Sequence, residues 1–263
     1  MSFKRFAALC AAMALSVAPG MARAQTTAGE KPTIVLVHGA WADASSYDAV
    51  IARLQKAGYK VFAPPNELRS LATDAREVAN LLKTIVGPVI LVGHSYGGAV
   101  ISVASAESAN VKALVYVDAF VPDAGESPLS LLAPYPAPPK DFFVPVPMSG
   151  GGADVYIAQK YYGPVFASDV PAAKALALAA EQRPITGAAL NEKAPAGEGW
   201  KTIPSWYVVG DADLVIPPAL QIKMAMRAKA HVSHTHGSHP SMIEHPDATV
   251  DAIEAAAAAT ATK

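Results

Sequence analysis

Ser95 is the first residue in this chain whose surroundings suggest chemistry. It sits in Gly93-His94-Ser95-Tyr96-Gly97-Gly98, a G-x-S-x-G pattern. Such a turn lifts a serine oxygen to the end of a sheet, where a base can reach it. Glycines on both flanks suit the strained backbone and the close packing that the turn imposes. A serine hydroxyl is a poor nucleophile at its own pKa. It needs a base, and the base needs an orienting acid. Asp213 and His239 follow in the order serine, acid, histidine. Asp213 lies three residues past Gly210, in the loop after an apolar run, whereas Asp211 stands too close to that run. Asp118, at the end of Val111–Val117, is the alternative acid.

Five of the seven histidines lie between His231 and His245. His239 follows Gly237-Ser238 and precedes a helical stretch, which places it in a loop. His234-x-His236 with His239 could offer imidazoles to zinc. No carboxylate is interleaved with them, so a metal is not expected. His38 is assigned a structural part in shaping its loop. A developing oxyanion needs two backbone N–H donors. Tyr96 offers one at a helix N-terminus, where the dipole also favours negative charge. Ala40, just past His38-Gly39, is the candidate for the other.

These residues need a frame. Thr33–Val37 is a continuous apolar, β-branched run, as in a strand buried on both faces of a parallel sheet, and Val89–Val92, Val111–Val117 and Ser205–Val209 are further mainly apolar strand candidates. Tyr59–Phe62 and His231–Thr235 bring the count to about six strands. Helical stretches alternate with them: Asp43 or Ser45 to Ala57, Thr73 to Val86, the segment after Ser95, Pro218 to Lys229, and the C-terminus. The alternation predicts an α/β fold, a doubly wound and mainly parallel sheet with helices on both faces. Residues 122–200 break the rhythm. Eight prolines between Pro122 and Pro147 forbid a long helix in the first part, and Gly150-Gly151-Gly152 reads as a flexible joint. Helical patches are predicted near Val155–Tyr161 and Pro171–Ala180. The aromatic and apolar content of this insertion predicts a cap that roofs a pocket over the strand ends. The core is then 25–121 with 201–263.

The first 24 residues read as a cleaved signal peptide. Lys4 and Arg5 precede the apolar run Phe6–Val17, and Ala22-Arg23-Ala24 is a small-x-small cleavage site. The expected location is the periplasm or the medium. Cys10, the only cysteine, lies in that signal, so the mature chain has neither a disulfide nor a thiolate nucleophile. Without Lys4, Arg5 and Arg23 the chain carries 18 basic and 22 acidic residues, a net charge of −4. No basic stripe points to nucleic acid, and no later apolar run is long enough to span a membrane.

Taken together, Val35-Leu36-Val37-His38-Gly39-Ala40-Trp41, the Ser95 turn, Val117-Asp118-Ala119-Phe120-Val121-Pro122, Gly210-Asp211-Ala212-Asp213 with Ile216-Pro217, and Ser238-His239 with His245-Pro246-Asp247 resemble the α/β-hydrolase superfamily. The chain looks most like its small esterase branch, which also holds plant methyl-ester esterases and hydroxynitrile lyases. The resemblance covers nearly the whole mature chain and is weakest across the cap. It implies Ser95, Asp213 and His239 as a triad, Ala40 and Tyr96 as oxyanion donors, and no cofactor. Lyase members carry threonine where this chain has Gly39, and lysine after the catalytic histidine, where it has Pro240. The expected activity is therefore hydrolysis of a small, apolar or aromatic carboxylic ester. The same triad acting on an amide, lactone or carbon–carbon bond is one alternative. A non-catalytic binding protein of the same fold is the other.

Overall fold

The computed structural model describes residues 31–261; the predicted signal peptide lies outside them. Six parallel strands form one sheet in the order β2-β1-β3-β4-β8-β9. They are β1 (Thr33–Val37), β2 (Val61–Phe62), β3 (Val89–His94), β4 (Val111–Val117), β8 (Ser205–Gly210) and β9 (His231–Thr235). The predicted doubly wound sheet is thus the scaffold. Alternation within each strand divides the core in two. Val35, Val37, Leu91, Leu114 and Tyr116 face α2 (Leu71–Thr84), α3 (Tyr96–Ala104) and α8 (Pro218–Arg227). Ile34, Leu36, Ile90, Val92 and Val115 face α1 (Asp48–Lys56) and α9 (Pro246–Thr260). Each such aliphatic side chain contributes roughly 1.5–3 kcal/mol on full burial. Both faces are covered, which explains why the central residues of these strands are almost all apolar.

From β1 the chain steps outward to β2, then returns to place β3 on the other side of β1. The winding therefore reverses between β1 and β3. Open α/β sheets bind ligands outside the carboxyl ends of their strands at such a reversal. Here those ends carry His38-Gly39-Ala40 and Ser95-Tyr96. α2 starts two residues earlier than its apolar pattern suggested, because the Ser70 hydroxyl caps it by accepting the Thr73 N–H at 3.1 Å.

The insertion between β4 and β8 holds α4 (Pro128–Leu132), α5 (Gln159–Tyr161), a π-helical turn (Tyr162–Phe166), α6 (Ala172–Glu181) and α7 (Gly187–Asn191). It also carries a small antiparallel sheet, β5 (Phe143–Pro147), β6 (Ala153–Ile157) and β7 (Ile185–Thr186), in that order. This corrects the helical patch predicted near Val155–Tyr161, since Val155–Ile157 is strand. Gly150-Gly151-Gly152 is the hairpin turn between β5 and β6, with Gly151 and Gly152 at φ of 89° and 78°. Met148 closes it by accepting the Gly151 N–H at 3.0 Å and donating to the Gly152 carbonyl at 3.1 Å. Pro145 and Pro147 are tolerated because β5 is the outer strand, where an N–H has no ladder partner to miss.

Candidate active site

Ser95 terminates β3 and opens α3 with φ 53° and ψ −123°. A non-glycine residue there stores on the order of 1–3 kcal/mol of strain, held by its surroundings. A Cβ at Gly97 would stand 2.3 Å from the Val37 carbonyl oxygen, and one at Gly93 would stand 2.6 Å from the Gly97 carbonyl oxygen. The pattern's two glycines are therefore needed for space: β1, β3 and α3 touch backbone to backbone.

His239 lies in the loop beyond β9 and is fully buried. Its Nε2 is 2.8 Å from Ser95 Oγ, and its Nδ1 is 2.8 Å from Asp213 Oδ2. Asp213, from the loop after β8, is itself held by three donors. Val215 and Ile216 N–H groups reach Oδ1 at 2.7 and 2.9 Å, and Gln221 Nε2 reaches Oδ2 at 2.8 Å. Three strand ends thus deliver a serine, a histidine and an aspartate into one hydrogen-bonded line. Asp118 takes another part. Its Oδ2 accepts the Ser241 N–H at 3.2 Å, while Oδ1 is buried with no partner among the described residues. Burial, and then the charge of Asp213, push its carboxyl well above the usual range. Asp211 pairs with exposed His234 at 2.8 Å, away from His239.

His38 shows how the loop after β1 is set. The Asn66 N–H donates to its Nε2 at 2.9 Å, so Nδ1 carries the proton and donates to the Gly39 carbonyl at 2.9 Å. Burial pulls its pKa down to about 4, which keeps the ring neutral. The Gly39 carbonyl and the Ala40 N–H belong to one planar peptide and point in opposite directions. Holding the carbonyl therefore turns the Ala40 N–H outward. The next amide along, Trp41 N–H, is committed to the Arg183 carbonyl at 2.9 Å. Tyr96 is fixed by its hydroxyl, which donates to buried Asp74 at 2.9 Å. His94 is buried beside His239, and its Nε2–H donates to the His239 carbonyl at 3.0 Å. Burial, with His239 adding to it, holds His94 neutral.

Ala40, Ser95 and Tyr96 line one cavity of about 380 Å³. Trp41, Phe120, Phe142, Phe143, Leu132 and Pro217 supply much of the remaining wall, and no charged side chain among the described residues lines it. The Trp41 and Phe143 rings stack with centroids 5.5 Å apart. Gln221, Asn66 and Asp74 escaped the reading of the sequence. Each is a polar residue with no motif around it, and each is buried to hold one group of the site.

The alpha/beta hydrolase family profile matches residues 34–252, and the chain belongs to that family. A carbendazim-hydrolysing esterase of Nocardioides sp. strain SG-4G is 41% identical over 119 residues, which are 40% of this chain and 49% of that protein. The chain thus matches about half the length of this relative. An α/β hydrolase of Aspergillus novofumigatus is 28% identical over 86% of this chain and 97% of its own. Among solved structures, a pyrethroid hydrolase from Sphingobium faniae JZ-2 superposes with a TM-score of 0.72. It is 25% identical and covers 87% of this chain and 98% of its own.

Proposed function

We propose that this chain is an exported serine carboxylesterase. Ser95 Oγ attacks the ester carbonyl while His239 Nε2 takes its proton. Asp213 holds the imidazolium that forms. The Ala40 and Tyr96 N–H groups receive the oxyanion of the tetrahedral intermediate. Collapse expels the alcohol, which takes the proton from His239, and leaves Ser95 acylated. Water, activated by the same histidine, releases the acid and restores the serine. The observation that carries the reading is the unbroken line Ser95–His239–Asp213, at 2.8 Å per link, opening on an apolar cavity.

The substrate is a small, uncharged, apolar or aromatic ester. Residues 122–200 are the cap that selects it, since they supply most of the apolar wall. A Cβ at Gly39 would stand 2.6 Å from Ser95 Cβ. That leaves no room for the threonine of lyase relatives and favours ester hydrolysis over cyanohydrin cleavage. The names of the carbendazim and pyrethroid hydrolases support the same substrate class. Residues 1–24 direct export, so the mature periplasmic or secreted protein should begin at Gln25, which N-terminal sequencing checks.

The test uses p-nitrophenyl butyrate and a pyrethroid ester. Wild type should turn over at least one of them, and Ser95→Ala should lower kcat by roughly 10³-fold or more. A fluorophosphonate should label wild type at Ser95 alone. Equal rates for wild type and variant would overturn the proposal.

A further inference from the structure

We propose that Asp169, in the cap, is a positioning residue for His239, acting through Ser238 and His245. The inference rests on the serine-esterase reading above. Asp169 lies between the π-helical turn and α6. Its Oδ1 accepts the Ser238 hydroxyl. Its Oδ2 accepts the Ser238 backbone N–H and His245 Nε2–H, each at 3.1 Å. Ser238 directly precedes His239, and His245 lies six residues beyond it. One carboxylate from the cap therefore grips the histidine loop on both sides of its working residue.

Ser238 is fully buried, whereas Asp169 and His245 are partly exposed, so the two Ser238 bonds are the ones least open to replacement by water. Losing the carboxylate would leave a buried hydroxyl and a buried N–H without partners, and the loop would shift to find others. Phe166, three residues before Asp169, sets its ring edge-on against the His239 imidazole with centroids 5.0 Å apart. The same stretch of cap thus packs on the histidine ring and ties down the backbone next to it. Proton transfer needs heavy atoms within about 2.6–3.2 Å, and a displacement of about 1 Å at a reacting group can cost 10²-fold in rate. The cap, in this reading, does more than shape the cavity: it completes the seat of the base.

Asparagine and leucine separate hydrogen bonding from mere filling of space at position 169. In D169N, Oδ1 can accept the Ser238 N–H and the His245 Nε2–H, while Nδ2 donates to Ser238 Oγ. In D169L all three bonds are lost at similar volume. With p-nitrophenyl butyrate, kcat of D169L should fall 10- to 100-fold, a range set by such displacements, with KM unchanged within about twofold. D169N should restore kcat to within about threefold of wild type. The rate at which a fluorophosphonate phosphonylates Ser95, with loss of fluoride, should fall in parallel, because it reports base placement without needing an ester substrate. Wild-type kcat in folded D169L, a change confined to KM, or a D169N as slow as D169L would each overturn the proposal. If D169L fails to fold, S238A decides. A lower kcat at constant KM supports the proposal, and wild-type kcat overturns it. Failure of the esterase reading would appear elsewhere, as wild-type turnover that does not depend on Ser95.

Discussion

Asp213 and Asp118 are buried carboxylates at the ends of adjacent strands, and their hydrogen bonds set them apart. Asp213 receives N–H donors on both oxygens as well as His239. Asp118 receives one N–H, its other oxygen has no partner among the described residues, and burial and its neighbour's charge raise its pKa well above the usual carboxylate range. Orientation of the imidazole therefore falls to Asp213. Asp213→Asn should lower kcat roughly 10³- to 10⁴-fold, as expected when the histidine loses its orienting acid. Asp118→Asn, which mimics the protonated acid, should keep kcat within a few-fold of wild type. Steady-state kinetics of the two variants on one ester checks both, and the reverse pattern would make Asp118 the acid.

The turn from β3 into α3 works only because β1 lies against it. Gly97 of α3 faces the Val37 carbonyl of β1 at a distance that excludes any side chain. Gly97→Ala must push the helix from the strand, at roughly 1–3 kcal/mol for overpacking, and must move Ser95 with it. Gly150, with nothing within 4 Å of its Cβ position, is the control. Urea unfolding should show the loss in Gly97→Ala and wild-type stability in Gly150→Ala. Glycines of this kind announce themselves in the sequence. The strand at Val155–Ile157 does not. Its spacing of apolar residues also fits a helix, and its strand identity comes from pairing with Phe143–Pro147 across the hairpin. Trp41 Nε1–H adds to this by donating to the Val155 carbonyl at 2.8 Å, and Arg69 by pairing with Asp154 at 2.6 Å.

Residues 122–200 are tied to the rest of the fold at several points. Glu192 of the cap accepts the Leu71 and Ala72 N–H groups at the start of α2. Arg227 of α8 holds Glu126, and Lys174 of α6 meets Glu244 at 3.0 Å. The interior also gives stability a pH dependence of two opposing signs. His38 and His94 are buried neutral, with folded pKa values below 6.5. The unfolded chain binds their protons first, so their contribution is lost as pH falls from about 6.5, on the order of 3 kcal/mol for His38 by about pH 4. Asp118 runs the other way. Its raised folded pKa makes the fold keep a proton that the unfolded chain releases above 3.8, so it costs stability increasingly as pH rises. Asp118→Asn removes that cost. Its melting temperature should exceed that of wild type by a margin that widens as pH rises above about 3.8 and levels off above the raised folded pKa, and calorimetry at several pH values reads it. A margin that narrows with pH would contradict a protonated Asp118.

Much of this protein is written locally. Largely apolar runs mark β1, β3, β4 and β8, because their central residues are covered on both faces. The glycines around Ser95 mark the turn, because backbone contacts leave no room for side chains. The order of Ser95, Asp213 and His239 placed candidate residues at three strand ends. Folding in three dimensions settled what those signals leave open. Asp213 lies on His239 and Asp118 does not, a difference set by which loops pack together and not by the distance of either residue from its strand. Gln221, Asn66, Asp74 and Asp169 gain their parts the same way. A lone polar residue carries no periodicity and no motif, and its partner sits on another element or loop. Its meaning appears only when the fold buries it against the group it must hold.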